Sequence, residues 1–308
     1  MQKPRALRSG DRVALVAPAS PFEHDEFDRG TAELRALGFE PAYDDRVFAR
    51  RGYTAGDAGL RAAAFMDAWR DPSVGALMAV RGGYGSMQLL PLLSPDVMRS
   101  NPKLFIGYSD TTSILTFLTQ QCGTVAVHGP MIERRLARGP DGYDRASLLA
   151  CVSSVAPMGE LAPEGLVPIR DGEAVGRLTG GTLTQLVSSL GTPYAFEPPQ
   201  GSILFLEDVA ERPYRLDRMV TQLRFAGVLD RIRAVIWGQM PRCDEPAGAP
   251  TAREVVGDLF AGFHGPVIFG FPSGHSVNPT VTLPFGVRVR VIAGQRTMIV
   301  VEESAVVA

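Results

Sequence analysis

Through the first half of the chain, short apolar runs alternate with longer stretches whose apolar residues recur every three or four positions. The run 13–17 (Val-Ala-Leu-Val-Ala) predicts a buried strand. Beyond the Ser20-Pro21 break, Phe27, Leu34 and Leu37 fall at helical spacing, which predicts a helix over 23–37 with Gly38 at its C-cap. A second helix is expected over 57–69, with Leu60, Ala64, Phe65 and Trp69 on one face. The apolar run 75–80, a glycine turn and a helix over 86–93 follow. The run 103–106 leads through Gly107-Tyr108-Ser109-Asp110 into a helix over 111–120, and 125–127 closes the series. Apolar strands joined by amphipathic helices imply a mostly parallel sheet covered on both faces.

The pattern changes after that series. Arg-rich and Pro/Gly-rich pieces occupy 134–171, with one helix near 146–152, and an interdomain connection is expected over 141–171. This divides the chain into 1–140, an α/β domain, and 172–308, a β-rich domain. In the second part, helices are expected over 182–190 and 214–225 and strands over 202–206 and 234–237. The tail 281–301 reads as antiparallel strands, and Val287-Arg288-Val289-Arg290-Val291 has the period-two alternation of a half-buried one.

Composition narrows the class. A chain of 308 residues with 45% hydrophobic and 21% charged residues can bury a sizeable core without disulfides or a structural metal. The formal charge of −2 argues against holding nucleic acid by bulk electrostatics. Cys122, Cys151 and Cys243 are odd in number and widely spaced, which fits a reducing, cytoplasmic setting. The N-terminal apolar stretch follows Asp11-Arg12 and is too short for an export signal; no run has the length of a membrane span.

Candidate chemistry sits where strands turn into helices. Ser109 lies at such a turn, where the C-terminal edge of a parallel sheet binds ligands and the free N–H groups of a helix start can hold an oxyanion. A helix cap is the plain alternative. A serine nucleophile needs a base. Of four histidines, His128 at a strand end and His275 in a Pro/Gly-bounded segment are the two candidates by position; His24 reads as exposed in an acidic helix start, and His264 follows a helix end before a Gly-Pro turn. The base needs an orienting acid. Glu207-Asp208 ends the apolar run 203–206, and position alone does not separate the two carboxylates, which could equally pair with Arg212 or Arg215. Arg81-Gly82-Gly83-Tyr84-Gly85 is a glycine turn able to present N–H groups to an anion, without the Gly-Lys-Ser/Thr ending of a nucleotide loop. No metal-ligand spacing is present, and no cofactor is expected.

Six motifs occur in one family's order: Arg81-Gly82-Gly83-Tyr84-Gly85, Gly107-Tyr108-Ser109-Asp110-Thr111, His128-Gly129-Pro130, Gly191-Thr192-Pro193-Tyr194, Leu206-Glu207-Asp208 and Gly274-His275. The chain, from about Val13 to Val301, resembles the LD-carboxypeptidase family of serine peptidases, which includes muropeptide carboxypeptidases and microcin C self-immunity proteins. The resemblance implies a Ser-Glu-His triad, with Ser109 as nucleophile, Glu207 as acid and His275 as base. It implies an oxyanion hole from the backbone N–H groups of Asp110 and Gly83. It also implies a flavodoxin-like N-terminal domain carrying the nucleophile, a smaller β-rich C-terminal domain carrying acid and base, and a homodimer. Many relatives carry Gly-Gly-Asn-Leu where this chain has Gly180-Gly181-Thr182-Leu183, which puts the contacts of that asparagine in question.

Three functions compete. The first is a cytosolic carboxypeptidase that cuts an L–D amide bond and releases terminal D-alanine from muropeptide tetrapeptides during wall recycling. The second is an immunity-type peptidase acting on a peptidyl or aminoacyl nucleotide; Trp69 and Trp237 both lie away from the motifs, which favours the first. The third is a non-enzymatic binding module, against which an intact triad argues. The partner expected is a small peptide, with no nucleic acid and no membrane.

Overall fold

The computed structural model describes residues 1–308. Its first half runs β1 (Arg12–Val16), α1 (His24–Ala36), β2 (Glu40–Ala42), α2 (Ala58–Arg70), β3 (Val74–Ala79), α3 (Pro95–Ser100), β4 (Leu104–Gly107), α4 (Thr112–Gln120) and β5 (Ala126–His128). Then come α5 (Arg145–Ser153), β6 (Gly159–Leu161), β7 (Val167–Arg170), β8 (Gly172–Thr182), α6 (Leu183–Ser189), β9 (Ser202–Glu207), α7 (Pro213–Phe225) and β10 (Ile232–Gly238). The chain ends with α8 (Ala252–Leu259), β11 (Val267–Phe271), β12 (Leu283–Phe285), β13 (Arg288–Ala293) and β14 (Met298–Val301).

The first sheet has the order β2–β1–β3–β4–β5, all parallel, which is the flavodoxin-like winding. Its strands are apolar because helices cover both faces: Phe27, Phe65, Trp69, Ile114, Leu118 and Leu148 are buried in one core with the strand residues. The Asp57 side chain caps α2 by accepting from Leu60 N–H at 2.8 Å. In this winding the strand order reverses between β1 and β3, and ligands bind outside the carboxyl ends of the strands there.

The second sheet has eight strands, in the order β6–β14–β13–β8–β9–β10–β11–β7. Its centre, β8 to β11, is parallel; its flanks are antiparallel. On β9, Ile203 and Phe205 join the core shared with the first sheet, while Leu204 and Leu206 pack under α6, α7 and α8 with Leu186, Leu216, Val220 and Val256. The alternation sends successive side chains to opposite faces.

Several elements depart from the sequence pattern. Residues 86–92 form a 3-10 helix that contains Pro91 rather than an α-helix. The segment 141–171, expected as a connection, contributes β6 and β7 to the two outer edges of the second sheet. In the tail, only β13 and β14 pair with each other; β12 crosses back and pairs antiparallel with β5, Leu283 opposite His128. The second sheet therefore has more strands than the first, and the first is completed by a late strand.

Candidate active site

Ser109 follows β4 directly. Tyr108 is extended, Ser109 turns into the left-handed region at φ 64°, and a single 3-10 turn, Ser109–Thr111, opens into α4. Gly107 makes the sharp turn possible, since a Cβ there would lie 3.3 Å from Ala79 Cβ and still closer to the Thr111 hydroxyl. The glycine turn after β3 closes on the same place. A Cβ on Gly82 would sit 2.9 Å from Ser109 Oγ and 3.4 Å from Asp110 N, so the missing side chain lets this backbone approach both. Gly83 has φ 99° and faces Ser20, whose Cβ would lie 2.6 Å from a Cβ on Gly83.

The Asp110 carboxylate points away from the cleft. It accepts from Ser86 N–H at 2.8 Å, while Ser86 Oγ donates to the Asp110 carbonyl at 2.6 Å. Burial raises its pKa above the usual carboxylate value. Arg61, buried at the base of these loops, donates to the carbonyls of Pro18, Gly56 and Gly85 and to Gln88 Oε1, and so fixes the glycine turn.

From the second sheet comes a carboxylate–imidazole pair. Glu207 ends β9 on the same face as Ile203 and Phe205 and is fully buried. Its Oε2 accepts from the His275 backbone N–H and from His275 Nδ1, each at 2.8 Å. Its Oε1 accepts from the Thr182 hydroxyl. Burial alone would push this carboxyl up; the His275 ring beside it outweighs burial and holds it at about 2. Burial likewise works against a charged His275, and the Glu207 carboxylate reverses that and raises its pKa. With Nδ1–H on the carboxylate, Nε2 is the free nitrogen of the ring.

The neighbouring carboxylate is turned the other way. Asp208 accepts from Thr184 N–H at 2.9 Å, Thr184 Oγ1 at 2.7 Å and Val209 N–H at 2.9 Å, and so caps α6. Burial, with Glu207 nearby, raises it to about 6. Neither carboxylate pairs with Arg212 or Arg215, which bind Glu245 and Glu211 at the surface. Thr182, at the position of the relatives' asparagine, supplies a hydroxyl to Glu207, and its N–H donates to Thr112 Oγ1 at 3.1 Å. That bond ties the β8–α6 corner to the start of α4.

His128 lies beside this pair without a hydrogen bond to either member. It is fully buried among Tyr108, Phe205 and Phe285, its Nδ1 lies 3.0 Å from Ser273 Oγ, and Nε2 has no partner. Burial lowers its pKa to about 4, so the ring is neutral. His24 and His264 are at the surface. Sequence reasoning missed Arg135, which is buried and donates to the carbonyls of Gly274 (2.6 Å), Ser276 (3.1 Å) and Gly142 (3.3 Å) and to Tyr108 Oη (3.3 Å). One guanidinium thereby fastens the His275 loop to the first half of the chain.

Ser109 and His275 line one cleft of about 330 Å³. Arg81, Arg134, Arg135, Arg138 and Arg242 also line it, beside one buried carboxylate, Glu133. The chain has five non-glycine residues with left-handed backbone: Ser109, Arg134, Ala210, Met240 and Arg242. Three line the cleft, and the other two adjoin its Val209 and Pro241. Each costs roughly 1–3 kcal/mol, and strain of this kind gathers at functional sites. No group of three or more His, Cys, Asp or Glu side chains is placed to hold a metal ion. No helix is long and apolar enough to cross a membrane.

Comparison with known proteins places the chain among carboxypeptidases and immunity proteins of similar length. The murein tetrapeptide carboxypeptidase of Pseudomonas aeruginosa is 31% identical over 291 residues, covering 92% of this chain and 94% of that protein. The solved muramoyltetrapeptide carboxypeptidase of Oxalobacter formigenes superposes with a TM-score of 0.82 at 28% identity, covering 93% of this chain and 98% of the other. The microcin C7 self-immunity protein MccF of Escherichia coli is 26% identical over 327 residues, 96% of this chain and 95% of that protein. Its complex with aspartyl sulfamoyl adenosine superposes with a TM-score of 0.92 at 25% identity over the whole of both chains. The LD-carboxypeptidase N-terminal domain profile matches residues 13–129, and the C-terminal domain profile matches 175–291. The chain belongs to the LD-carboxypeptidase family.

Proposed function

We propose that this protein is a serine-type LD-carboxypeptidase that releases a terminal D-alanine from muropeptide tetrapeptides. The observation that carries the reading is the pairing of His275 with a buried Glu207 in the same cleft as a left-handed Ser109. In the proposed mechanism Ser109 Oγ attacks the scissile carbonyl and His275 Nε2 takes its proton. Glu207 holds the Nδ1–H tautomer and stabilises the imidazolium. The oxyanion is received by the N–H groups of Asp110 and Gly83; the bare Gly82 lets the Gly82–Gly83 peptide approach Ser109. His275 then gives its proton to the leaving amine, and a water molecule, deprotonated in turn by His275, opens the acyl-enzyme.

On this reading the nucleophile belongs to a domain of residues 1–140, and the acid and base to one of 172–308. A cytoplasmic location rests on three unpaired, buried cysteines, and a homodimer rests on the family resemblance. The immunity-type reading is supported by the likeness to MccF. Against it, both tryptophans are fully buried and no tryptophan lines the cleft to stack on a base.

The test is D-alanine release from a purified tetrapeptide, beside hydrolysis of an aminoacyl sulfamoyl adenosine. Ser109→Ala should lose about 10⁶-fold in turnover while keeping its fold. More than a few per cent of wild-type activity in the folded variant would refute Ser109 as nucleophile.

A further inference from the structure

Three neighbouring parallel strands of the second sheet, β9, β10 and β11, end on one rim. β9 ends in Glu207, and the segment after β11 carries His275. Between them β10 ends in Gly238, followed by Gln239, and neither takes part in the proton transfers. Gly238 makes room for the acid, since a Cβ there would lie 2.7 Å from Glu207 Cβ. Gln239 is half-buried, and its Oε1 accepts from Val277 N–H at 2.9 Å and from Asn278 N–H at 3.3 Å. Two backbone donors on one side-chain atom fix that atom as the amide oxygen.

The loop 272–280 is held differently along its length. Pro272, Ser273 and Gly274 are buried, Gly274 N–H donates to Thr280 Oγ1 at 2.9 Å, and His275 N–H is on Glu207. Residues 277–279 are exposed, Val277 by 70%, so packing contributes little there. Pro279 has no N–H, and Gln239 therefore takes every backbone donor between Ser276 and Thr280. Arg135 holds two carbonyls of the same loop, those of Gly274 and Ser276, and Gln239 supplies the opposite polarity from the other side.

We propose that Gln239 is a positioning residue for the base: its side-chain oxygen pins the outer half of the His275 loop to the end of β10 and so keeps the imidazole seated on Glu207. Its effect on catalysis rests on the carboxypeptidase reading above; the tether itself rests on the geometry. The oxygen acts only as an acceptor. A carboxylate of the same length can replace it, whereas methionine, of similar length and without a strong acceptor, cannot. Once the two N–H groups turn to water, the exposed half of the loop has no other anchor, and the ring shifts against both Glu207 and Ser109.

The experiment compares wild type, Gln239→Met and Gln239→Glu in D-alanine release from a tetrapeptide. Gln239→Met should lower kcat about 10–100-fold and leave KM within about threefold, as for a reacting group displaced by up to ~1 Å. Gln239→Glu should recover most of that kcat. Gln222→Met, the same exchange on the exposed face of α7, should leave kcat as in the wild type. The second readout is the titration of the His275 ring, followed by magnetic resonance of protein isotope-labelled at histidine Cε1 and assigned with His275→Gln. Glu207 and Asp208 of β9, Tyr108 after β4, His128 of β5 and Arg135 face that ring and are the same in all three proteins. A looser seat on Glu207 should move the pKa of His275 down in Gln239→Met, while Gln239→Glu should keep it at or above the wild-type value. A glutamine that only stabilised the fold would change urea unfolding and move neither kcat nor this titration. A kcat of Gln239→Met within about threefold of wild type, a Gln239→Glu no better than Gln239→Met, or an unchanged titration would each overturn the proposal. If Gln239→Met does not fold, Gln239→Asn, whose shorter side chain withdraws the oxygen, takes its place under the same criteria. Should the wild type release no D-alanine, the carboxypeptidase reading falls and the titration decides alone: a lowered pKa in Gln239→Met supports the tether, and one value in all three proteins refutes it.

Discussion

Replacing Glu207 by glutamine and Asp208 by asparagine separates two adjacent buried carboxylates that face opposite ways. Glu207 accepts three hydrogen bonds, two from His275 and one from Thr182. In Glu207→Gln the amide oxygen can take the Oε2 position and keep both bonds from His275. The amide NH2 then faces the Thr182 hydroxyl, which can rotate to accept. The fold should survive with little loss. What disappears is the negative charge opposite the imidazolium, and with it the restraint on the tautomer, an effect of roughly 10³–10⁴-fold in kcat where such an acid has been neutralised.

Asp208→Asn should do the reverse. Its three donors are Thr184 N–H, Thr184 Oγ1 and Val209 N–H, and an asparagine must aim its NH2 at one of the two oxygen positions that these occupy. One buried amide N–H is left unsatisfied, which costs about 1–3 kcal/mol. Asp208 does not touch the imidazole, so kcat should change only a few-fold. The assays are kcat under saturating tetrapeptide and urea unfolding of each variant. A larger kcat loss in Asp208→Asn than in Glu207→Gln, or more than about a tenth of wild-type kcat in the latter, would refute the assignment of the acid.

Three further outcomes are expected. Because Glu207 raises the pKa of His275 above its ordinary 6.5, the acid limb of kcat/KM should lie above that value and move down in Glu207→Gln; a limb at the same pH in both proteins would contradict the coupling. The same shift is a stability statement: His275 contributes fully below pH 6.5 and loses that contribution as pH rises through its folded value. Gly82→Ala should lower kcat by about 10²-fold or more, since the new Cβ lies 2.9 Å from Ser109 Oγ and displaces the reacting hydroxyl; kcat within threefold of wild type would show that the two turns are not in working contact. Arg135→Met should lose about 1–3 kcal/mol in urea unfolding and also lower kcat, because the carbonyls of Gly274 and Ser276 lose their donor and the His275 loop its tether; unchanged kcat would disprove the positioning role.

The parallel winding and the position of Ser109 were legible because both follow from local pattern: apolar runs, helical spacing and a strand-to-helix turn. The choice between Glu207 and Asp208 was not legible from pattern, for a definite reason. Ile203, Leu204, Phe205 and Leu206 are apolar on both faces because β9 is central and covered on both sides. A strand of that kind has no polar alternation to tell which face meets the site. His128 and His275 were equally open, and a non-local pairing separates them: β12 lies across β5 and seals His128 in the interior. Arg135 sits in an arginine-rich stretch that reads as solvated surface, and its burial depends on carbonyls about 140 residues away. β8 is hard to read from the sequence because glycines at 172, 176, 180 and 181 weaken its strand pattern, although two of them serve the site by close approach. A Cβ on Gly181 would lie 2.6 Å from Thr112 Cγ2, and one on Gly180 would strike the backbone of Phe205.

The same contacts bear on how the cleft can move. Two halves that each supply part of a site would by default be expected to hinge, unless a large apolar interface joins them. Here Ile203, Phe205, Ile236 and Phe271 of the second sheet share one continuous core with Val127, Leu283 and Phe285 of the first. Backbone pairing adds to the packing, because β12 follows β11 in the chain yet hydrogen-bonds to β5. Thr112 and Arg135 each span the halves within hydrogen-bond distance of Ser109's helix or His275's loop. A rigid-body opening would have to break a strand pair, expose the buried His128 and unseat a buried guanidinium. The shared core, the strand pair and these bonds therefore resist a hinge between the Ser109 and His275 sides of the cleft. The exposed side chains of the cleft, Arg134, Arg138 and Arg242, lie outside that shared core.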